Sequence, residues 1–148
     1  MSLVLLVEDN PSDEKLALRA FKRCEQPFDV AVVRDGGEAL DFLFAEGNHR
    51  DRAGATLPRL VLLDLKLPRI DGIDVLRRLR ADERTRLVPV VVFSASREEE
   101  DLRRSLQLGA NAYLHKPVDF AEFVEAVRVL VIFWLFLNQP PPLPRRGA

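Results

Sequence analysis

Five polar side chains that each follow a short apolar run could together carry out phosphoryl chemistry. The five residues are Glu8, Asp9, Asp64, Ser94 and Lys116. Carboxylates brought together repel one another, by about 4 kcal/mol for each pair at about 4 Å and an effective dielectric constant of about 20. Oxygen ligands with no nearby cysteine and no useful histidine favour a hard cation such as Mg²⁺ to relieve this repulsion. An aspartate nucleophile, a metal ion, a lysine and a hydroxyl group would make a phosphoryl-transfer site.

The apolar runs in front of these residues predict five short strands. They cover residues 3–7, 28–33, 60–63, 89–93 and 112–114. Solid apolar runs of this length suit strands that are buried on both faces of a parallel sheet. Between the runs, apolar residues recur at helical spacing. The helices predicted from this spacing cover residues 11–24, 36–45, 73–80, 98–108 and 119 onward. The fold class is therefore α/β, with a doubly wound five-stranded parallel sheet.

The five polar residues would share one edge of this sheet, because the carboxyl ends of parallel strands lie together. In open α/β sheets, ligands bind in the crevice at that edge, where the strand order reverses. Each residue taken alone has an ordinary explanation, since acids and serines after strands are often turn residues or helix caps. The functional interpretation depends on all five meeting in one place.

The composition excludes several classes of protein. The 148 residues carry a net charge of −1, so no basic field is available to hold nucleic acid. The single cysteine, Cys24, rules out an internal disulfide. The N-terminal apolar run is too short for a signal peptide, and the run over residues 129–137 is too short for a membrane span of about 20 residues. We therefore expect a cytoplasmic protein that binds neither nucleic acid nor membranes.

Four motifs in this order and spacing resemble the receiver domain of bacterial two-component response regulators. They are Val7-Glu8-Asp9-Asn10, the stretch 62–72 (LLDLKLPRIDG), the stretch 92–96 (VFSAS) and His115-Lys116-Pro117. The resemblance spans about residues 1–130. It implies a flavodoxin-like receiver fold with strand order 2-1-3-4-5, and a phosphoryl group accepted on Asp64 from a sensor histidine kinase.

The resemblance also implies a set of metal ligands. Asp9 and Asp64 would bind Mg²⁺ or Mn²⁺ directly, and the backbone carbonyl of Lys66 would complete the protein ligands. Glu8 would act through a water molecule.

The remaining site residues would hold and report the phosphoryl group. By resemblance, Ser94 and Lys116 would contact its oxygens, and small Ala95 would leave room for its entry. Tyr113 stands at the family's rotating aromatic position, where it would move together with Ser94. The Lys116–Pro117 peptide bond would be cis.

Four further features resemble the stand-alone receivers that partner bacterial phytochromes. They are the long polar connection over residues 48–58, the stretches 108–113 and 118–120, and the aromatic pair Phe133-Trp134. A phytochrome kinase is therefore the expected phosphoryl donor.

Three other functions share parts of this pattern. An aspartyl phosphatase of the haloacid dehalogenase type needs a second acid two residues after its nucleophile, but Lys66 occupies that position. A module that binds partners without phosphorylation would not need the complete set of five residues. A flavin binder would need a phosphate-binding loop after the first strand. The expected protein is thus a phosphoacceptor with at most weak self-dephosphorylation, rather than an enzyme.

The last helix carries two apolar faces. The face expected to cover the sheet contains Phe120, Phe123, Val124, Val127, Val131 and Trp134. The opposite face, called the outer stripe, contains Val129, Ile132, Phe133 and Phe136. An exposed apolar stripe is an aggregation hazard unless a partner buries it, and a symmetric dimer is the commonest solution. We therefore expect a homodimer; in the alternative, residues 140–144 fold back over the stripe.

The expected boundaries follow from this helix. The receiver domain, with its extended C-terminal helix, covers residues 1–138, and a proline-rich tail covers residues 139–148. We expect no DNA-binding or enzymatic output domain after residue 138.

Overall fold

Five strands lie side by side in one parallel sheet in the computed structural model, which describes residues 1–142. The strands are β1 (Leu3–Val7), β2 (Asp29–Val33), β3 (Leu60–Leu63), β4 (Val90–Ser94) and β5 (Ala112–His115). Their order is β2-β1-β3-β4-β5, and every neighbouring pair is parallel. The predicted fold class and strand order are confirmed.

Helices connect the strands, and four of the five named here begin where the sequence supplies a capping side chain. They are α1 (Pro11–Lys22), α2 (Gly36–Phe44), α3 (Gly72–Ala81), α4 (Glu99–Gln107) and α5 (Phe120–Ile132). Asn10 caps α1 by accepting hydrogen bonds from the amides of Ser12 and Asp13, at 2.9 and 3.1 Å. Aspartates cap α2, α3 and α5 in the same way, whereas Glu98 at the start of α4 makes no side-chain cap.

The sheet is covered on both faces, as solid apolar strands require. Leu6 and Leu62 point into a core formed with α1 and α5, and Leu5 and Leu63 point into a core formed with α2 and α3. Strands β3 and β4 are buried along their whole length, whereas the edge strand β2 is partly exposed. No helix among residues 1–142 is long and apolar enough to cross a membrane.

The long connection after α2 contains a short 3-10 helix over Gly47–Arg52. It lies against α2, because the Arg52 guanidinium stacks 3.6 Å from the centre of the Phe42 ring and donates a hydrogen bond to the Phe42 carbonyl. Its sequence has no clear apolar period, since a helix this short has no continuous buried face.

The buried face of the C-terminal helix differs from the predicted one. After α5 ends at Ile132, residues Phe133–Leu137 form a π-helical segment, which winds more widely than an α-helix. Phe120 was predicted to be buried but is 67% exposed, because it is the first residue of the helix. Trp134 is only half-buried. The buried face consists of Phe123, Val124, Val127, Leu130, Val131 and Leu135.

The outer stripe is only partly exposed. Val129 and Phe133 are 51% and 45% exposed, whereas Ile132 and Phe136 are half-buried. The Phe136 ring lies 6.3 Å from the Phe28 ring of the same chain, so its full outward orientation was predicted wrongly. Within the predicted tail, residues 143–148 lie outside the described residues, and residues 139–142 leave Val129 and Phe133 exposed.

Candidate functional site

The five polar residues of the sequence pattern lie at the carboxyl edge of the sheet. Glu8 and Asp9 follow β1, Asp64 follows β3, Ser94 ends β4 and Lys116 follows β5. A cleft of about 710 Å³ opens there. Glu8 is buried below it, and the other four residues line it.

The backbone around Asp64 fixes the direction of its side chain. The Asp64 amide donates a hydrogen bond of 3.1 Å to the Val7 carbonyl, which extends the pairing of β1 with β3 by one residue. The chain then returns closely past this point, and a Cβ atom at Gly72 would lie 2.3 Å from the Asp64 carbonyl oxygen. Only glycine fits there, so the turn after Asp64 depends on Gly72.

Lys116 holds three carboxylates together at the bottom of the cleft. Its Nζ atom lies 2.7 Å from Glu8 Oε1, 2.8 Å from Asp13 Oδ2 and 2.8 Å from Asp64 Oδ2. The Lys116 amide donates a hydrogen bond of 2.8 Å to the Ser94 carbonyl, which fixes the base of the side chain. The ammonium group is thus the counter-ion of the acid cluster.

Asp13 belongs to this cluster although the sequence did not predict it as a site residue. As an acid in the first turn of α1, Asp13 also interacts favourably with the helix dipole. Its place in the site could have been predicted, because α1 begins at the same sheet edge and Asp13 lies in its first turn, three residues after Asn10.

Burial and neighbouring charge shift the pKa values of the two most enclosed groups. Burial, together with the nearby Asp64 carboxylate, raises the pKa of Glu8 to about 7, against the opposing effect of Lys116. Burial alone would lower the pKa of Lys116, but the carboxylates of Asp64, Glu8 and Asp13 outweigh it and raise that pKa above its ordinary value. Lys116 therefore stays charged at neutral pH, whereas Glu8 gains or loses a proton close to neutral pH.

The acid cluster fits a divalent cation. Glu8, Asp9 and Asp64 each offer a carboxylate oxygen, and these three oxygens lie within 4.8 Å of one another. Hard oxygen donors at this spacing are the type that Mg²⁺ and Mn²⁺ accept. Lys66 lines the same cleft, and its amide lies 3.5 Å from Asp64 Oδ1.

A second polar group lies beside Ser94. The buried Ser94 hydroxyl accepts a hydrogen bond of 3.1 Å from the Ser96 amide, and the Tyr113 hydroxyl donates to the Ser96 carbonyl at 3.2 Å. The Ser96 hydroxyl donates to Asp101 Oδ2 at 2.6 Å. Asp101 was not identified from the sequence, because only the packing of α4 brings it near the site.

One expectation drawn from the resemblance is wrong. The peptide bond between Lys116 and Pro117 is trans, and no cis peptide bond occurs among residues 1–142. The trans form is the ordinary outcome, since bonds before proline favour it by about 0.5–1 kcal/mol.

Comparison with known proteins identifies similar chains. Residues 4–128 match the family described as "Response regulator receiver domain". A curated relative, the probable methanogenesis regulatory protein FilR2 of Methanothrix harundinacea, is 40% identical over 94% of this chain and 87% of its own length.

Three solved structures are also similar to this chain. The phosphorylated cyanobacterial phytochrome response regulator RcpA is 36% identical, with a TM-score of 0.89, over 95% of this chain and 98% of its own. The Mn²⁺-bound form of response regulator Rcp1 is 32% identical, with a TM-score of 0.89, over 95% of this chain and 99% of its own. The bacteriophytochrome response regulator AtBRR is 47% identical, with a TM-score of 0.73, over 94% of this chain and 99% of its own.

Proposed function

Because this chain belongs to the response regulator receiver family, we propose that it accepts a phosphoryl group on Asp64 from a sensor histidine kinase. One observation carries the proposal. The Asp64 carboxylate lies 2.8 Å from Lys116 Nζ, and it shares a potential metal site with Glu8 and Asp9. A nucleophile beside both a cation site and a fixed positive charge is what phosphoryl transfer needs.

In the proposed transfer, a carboxylate oxygen of Asp64 attacks the phosphorus atom of a phosphohistidine. The P–N bond breaks, and the histidine nitrogen leaves with its electron pair. Lys116 then contacts an oxygen of the acyl phosphate on Asp64, and the Ser94 hydroxyl donates a hydrogen bond to another. Ser94 and Tyr113 move together as this contact forms.

A divalent cation, Mg²⁺ or Mn²⁺, is the proposed cofactor. Asp9, Asp64 and the Lys66 carbonyl would hold it directly, and Glu8 would hold it through water. When bound, the cation neutralises carboxylate charge that would otherwise repel an incoming phosphoryl group. The Mn²⁺-bound relative Rcp1 supports a divalent ion in this kind of site.

Phosphoacceptance accounts for the site better than hydrolysis does. The position two residues after Asp64 carries Lys66, whose ammonium lies 3.5 Å from Asp101 and cannot serve as a general acid in the manner of a carboxyl group. We propose only weak self-dephosphorylation. A role that does not involve phosphorylation would not need Glu8, Asp9 and Asp64 to share a potential metal site beside Lys116.

A phytochrome is the proposed kinase, because the similar structures include two phytochrome response regulators, RcpA and AtBRR. A kinase of another type is the alternative, because the relative FilR2 is named a probable methanogenesis regulatory protein and not a phytochrome response regulator. In either case the proposed setting is the cytoplasm, without nucleic acid or membrane as a partner.

A homodimer is also proposed. Val129 and Phe133 of the outer stripe remain exposed on α5 and in the segment that follows it, with Ile132 and Phe136 half-buried beside them. A second copy that pairs the same stripe would cover both.

Phosphotransfer from a panel of purified kinases, with phytochrome kinases included, tests the main proposal. Rapid labelling of this protein by one kinase, and none of its Asp64→Asn variant, is the expected result. Equal labelling of the variant would contradict it.

A further inference from the structure

Asp101 is a buried carboxylate that the proposed phosphoryl transfer does not use. It lies in the first turn of α4 and is only 8% exposed. A buried charge is costly unless other groups compensate it. Asp101 has two partners: the Ser96 hydroxyl at 2.6 Å and the Lys66 ammonium at 3.5 Å.

These two partners belong to the two loops that border the cleft. Lys66 lies in the loop after Asp64, and Ser96 lies in the loop after Ser94. Asp101 therefore ties both loops to α4. The start of α4 depends on the Ser96 hydroxyl, since the Glu98 amide donates a hydrogen bond of 3.3 Å to it and the Glu98 side chain does not cap the helix.

Ser96 connects Asp101 to the residues that would respond to phosphorylation. Its amide bonds to the Ser94 hydroxyl, and its carbonyl accepts from Tyr113. One short chain of contacts thus runs from Lys66 through Asp101 and Ser96 to Ser94 and Tyr113.

The pair between Lys66 and Asp101 is suited to exchange. The Lys66 side chain is 69% exposed and approaches Asp101 only to 3.5 Å, so the pair is weak. Lys66 also lines the cleft above Asp64. An acyl phosphate there would carry up to two negative charges and would attract the same ammonium group.

We propose that Asp101 is a positioning residue that holds the Lys66 ammonium group at α4 until a phosphoryl group on Asp64 competes for it. The inference rests on the proposed role of Asp64. Departure of Lys66 leaves Asp101 with Ser96 as its remaining polar partner, so the first turn of α4 responds directly to the phosphoryl group. The size of that response is set by the difference in contacts between the two states.

Binding of beryllofluoride, a stable phosphoryl analogue, tests this coupling in the full chain with Mg²⁺ present. Asp101→Asn keeps the size and the acceptor for Ser96 but removes the charge that holds Lys66. The freed Lys66 should increase beryllofluoride affinity about threefold, the effect of one weak ion pair. Glu100→Gln is the matched control, because Glu100 is an exposed acid of the same turn that pairs with Arg103, and it should leave the affinity unchanged.

The decisive measurement repeats Asp101→Asn in a Lys66→Gln background, where the increase should disappear. A purely structural role for Asp101 would give the same effect in both backgrounds, and that result would overturn the inference. A decrease in affinity for Asp101→Asn would also overturn it. Lys66→Gln alone should weaken binding, and unchanged binding would count against the inference even if Asp101→Asn failed to fold.

The same experiment separates this inference from the proposal on which it rests. Beryllofluoride binding that Asp64→Asn abolishes, without coupling between Lys66 and Asp101, would overturn this inference alone. No binding by the wild-type protein would overturn both.

Discussion

The cleft at the carboxyl edge of the sheet and the C-terminal end of the last helix contrast in what holds their residues in place. In the cleft, charges at strand ends meet around Lys116, and every acid in contact with it has a defined partner atom. At the helix end, apolar residues fill two faces of one segment, and Val129 and Phe133 remain 51% and 45% exposed. Strand topology therefore determines the first region, whereas helix phase determines the second.

The largest expected effect comes from removing the nucleophile of the cleft. Asp64→Asn should abolish phosphorylation by acetyl phosphate and by a kinase, because no other carboxylate of the cluster follows β3, the middle strand of the sheet. Labelling with a radioactive phosphoryl donor measures this. Full labelling, with the site mapped to another residue, would show that Asp64 is not the phosphoacceptor.

Removal of the counter-ion should destabilise the cleft and leave the helix end unaffected. Lys116→Met leaves Glu8, Asp13 and Asp64 without their common cation, and the free energy of unfolding should fall by about 3 kcal/mol. Urea unfolding at pH 8 without Mg²⁺ measures the loss, and added Mg²⁺ should restore part of it. An unchanged unfolding midpoint would mean that Lys116 is not the counter-ion.

Lys116→Ala and Ser94→Ala should each also weaken phosphorylation-dependent partner binding.

The helix end should respond to a charge placed on the outer stripe. Val129→Glu combined with Phe133→Glu should weaken dimerisation by at least about 2 kcal/mol, or about 30-fold in the dissociation constant. Sedimentation equilibrium measures this, while phosphorylation of the variant should be unchanged. Leu106→Glu is the control, since Leu106 on α4 is similarly exposed. A wild-type protein that is monomeric at high micromolar concentration, with or without phosphorylation, would contradict the dimer.

A smaller effect should appear in the pH dependence of metal binding at the cleft. The pKa of Glu8 is raised to about 7, so the group binds a proton below that pH and must release it for full metal affinity. Mg²⁺ affinity should therefore rise about tenfold between pH 6 and pH 8. Calorimetric titration measures the rise, and Glu8→Gln should flatten it. An equally steep profile in Glu8→Gln would assign the proton to another group.

The raised pKa of Glu8 also determines how the stability of the protein changes with pH. A carboxyl group with a folded-state pKa above its unfolded value stabilises the protein at low pH. Its contribution is lost as the pH rises from about 4.5 through about 7. Without metal, the wild-type protein should therefore lose stability over this range relative to Glu8→Gln.

Much of the fold was predictable because the strands are solid apolar runs that end in polar residues. The bounds of β1 and β3 agree with the prediction, and the strand order followed from the resemblance. The positions of Asp9, Asp64 and Lys116 then followed, since parallel strands place their carboxyl ends together. Their roles remain predictions.

Two of the missed features depend on contacts that no local pattern contains. Asp101 joins the site only through the packing of α4 against the sheet edge, whereas Asp13 could have been found from its place in the first turn of α1. Phe136 turns toward Phe28 because a π-helical segment follows α5, and apolar spacing read at 100° per residue gives no sign of it. Sequence patterns therefore located the strand ends well and the helix faces less well.

The complete burial of β3 and β4 has a consequence for amide hydrogen exchange. These two strands contribute to the cores on both faces of the sheet, so their amides should exchange only through global unfolding. The edge strand β2 is partly exposed and should open locally at lower cost. Asp64 follows β3 and Ser94 ends β4, so the residues proposed to carry and sense the phosphoryl group should keep their geometry while the edge of the domain opens and closes.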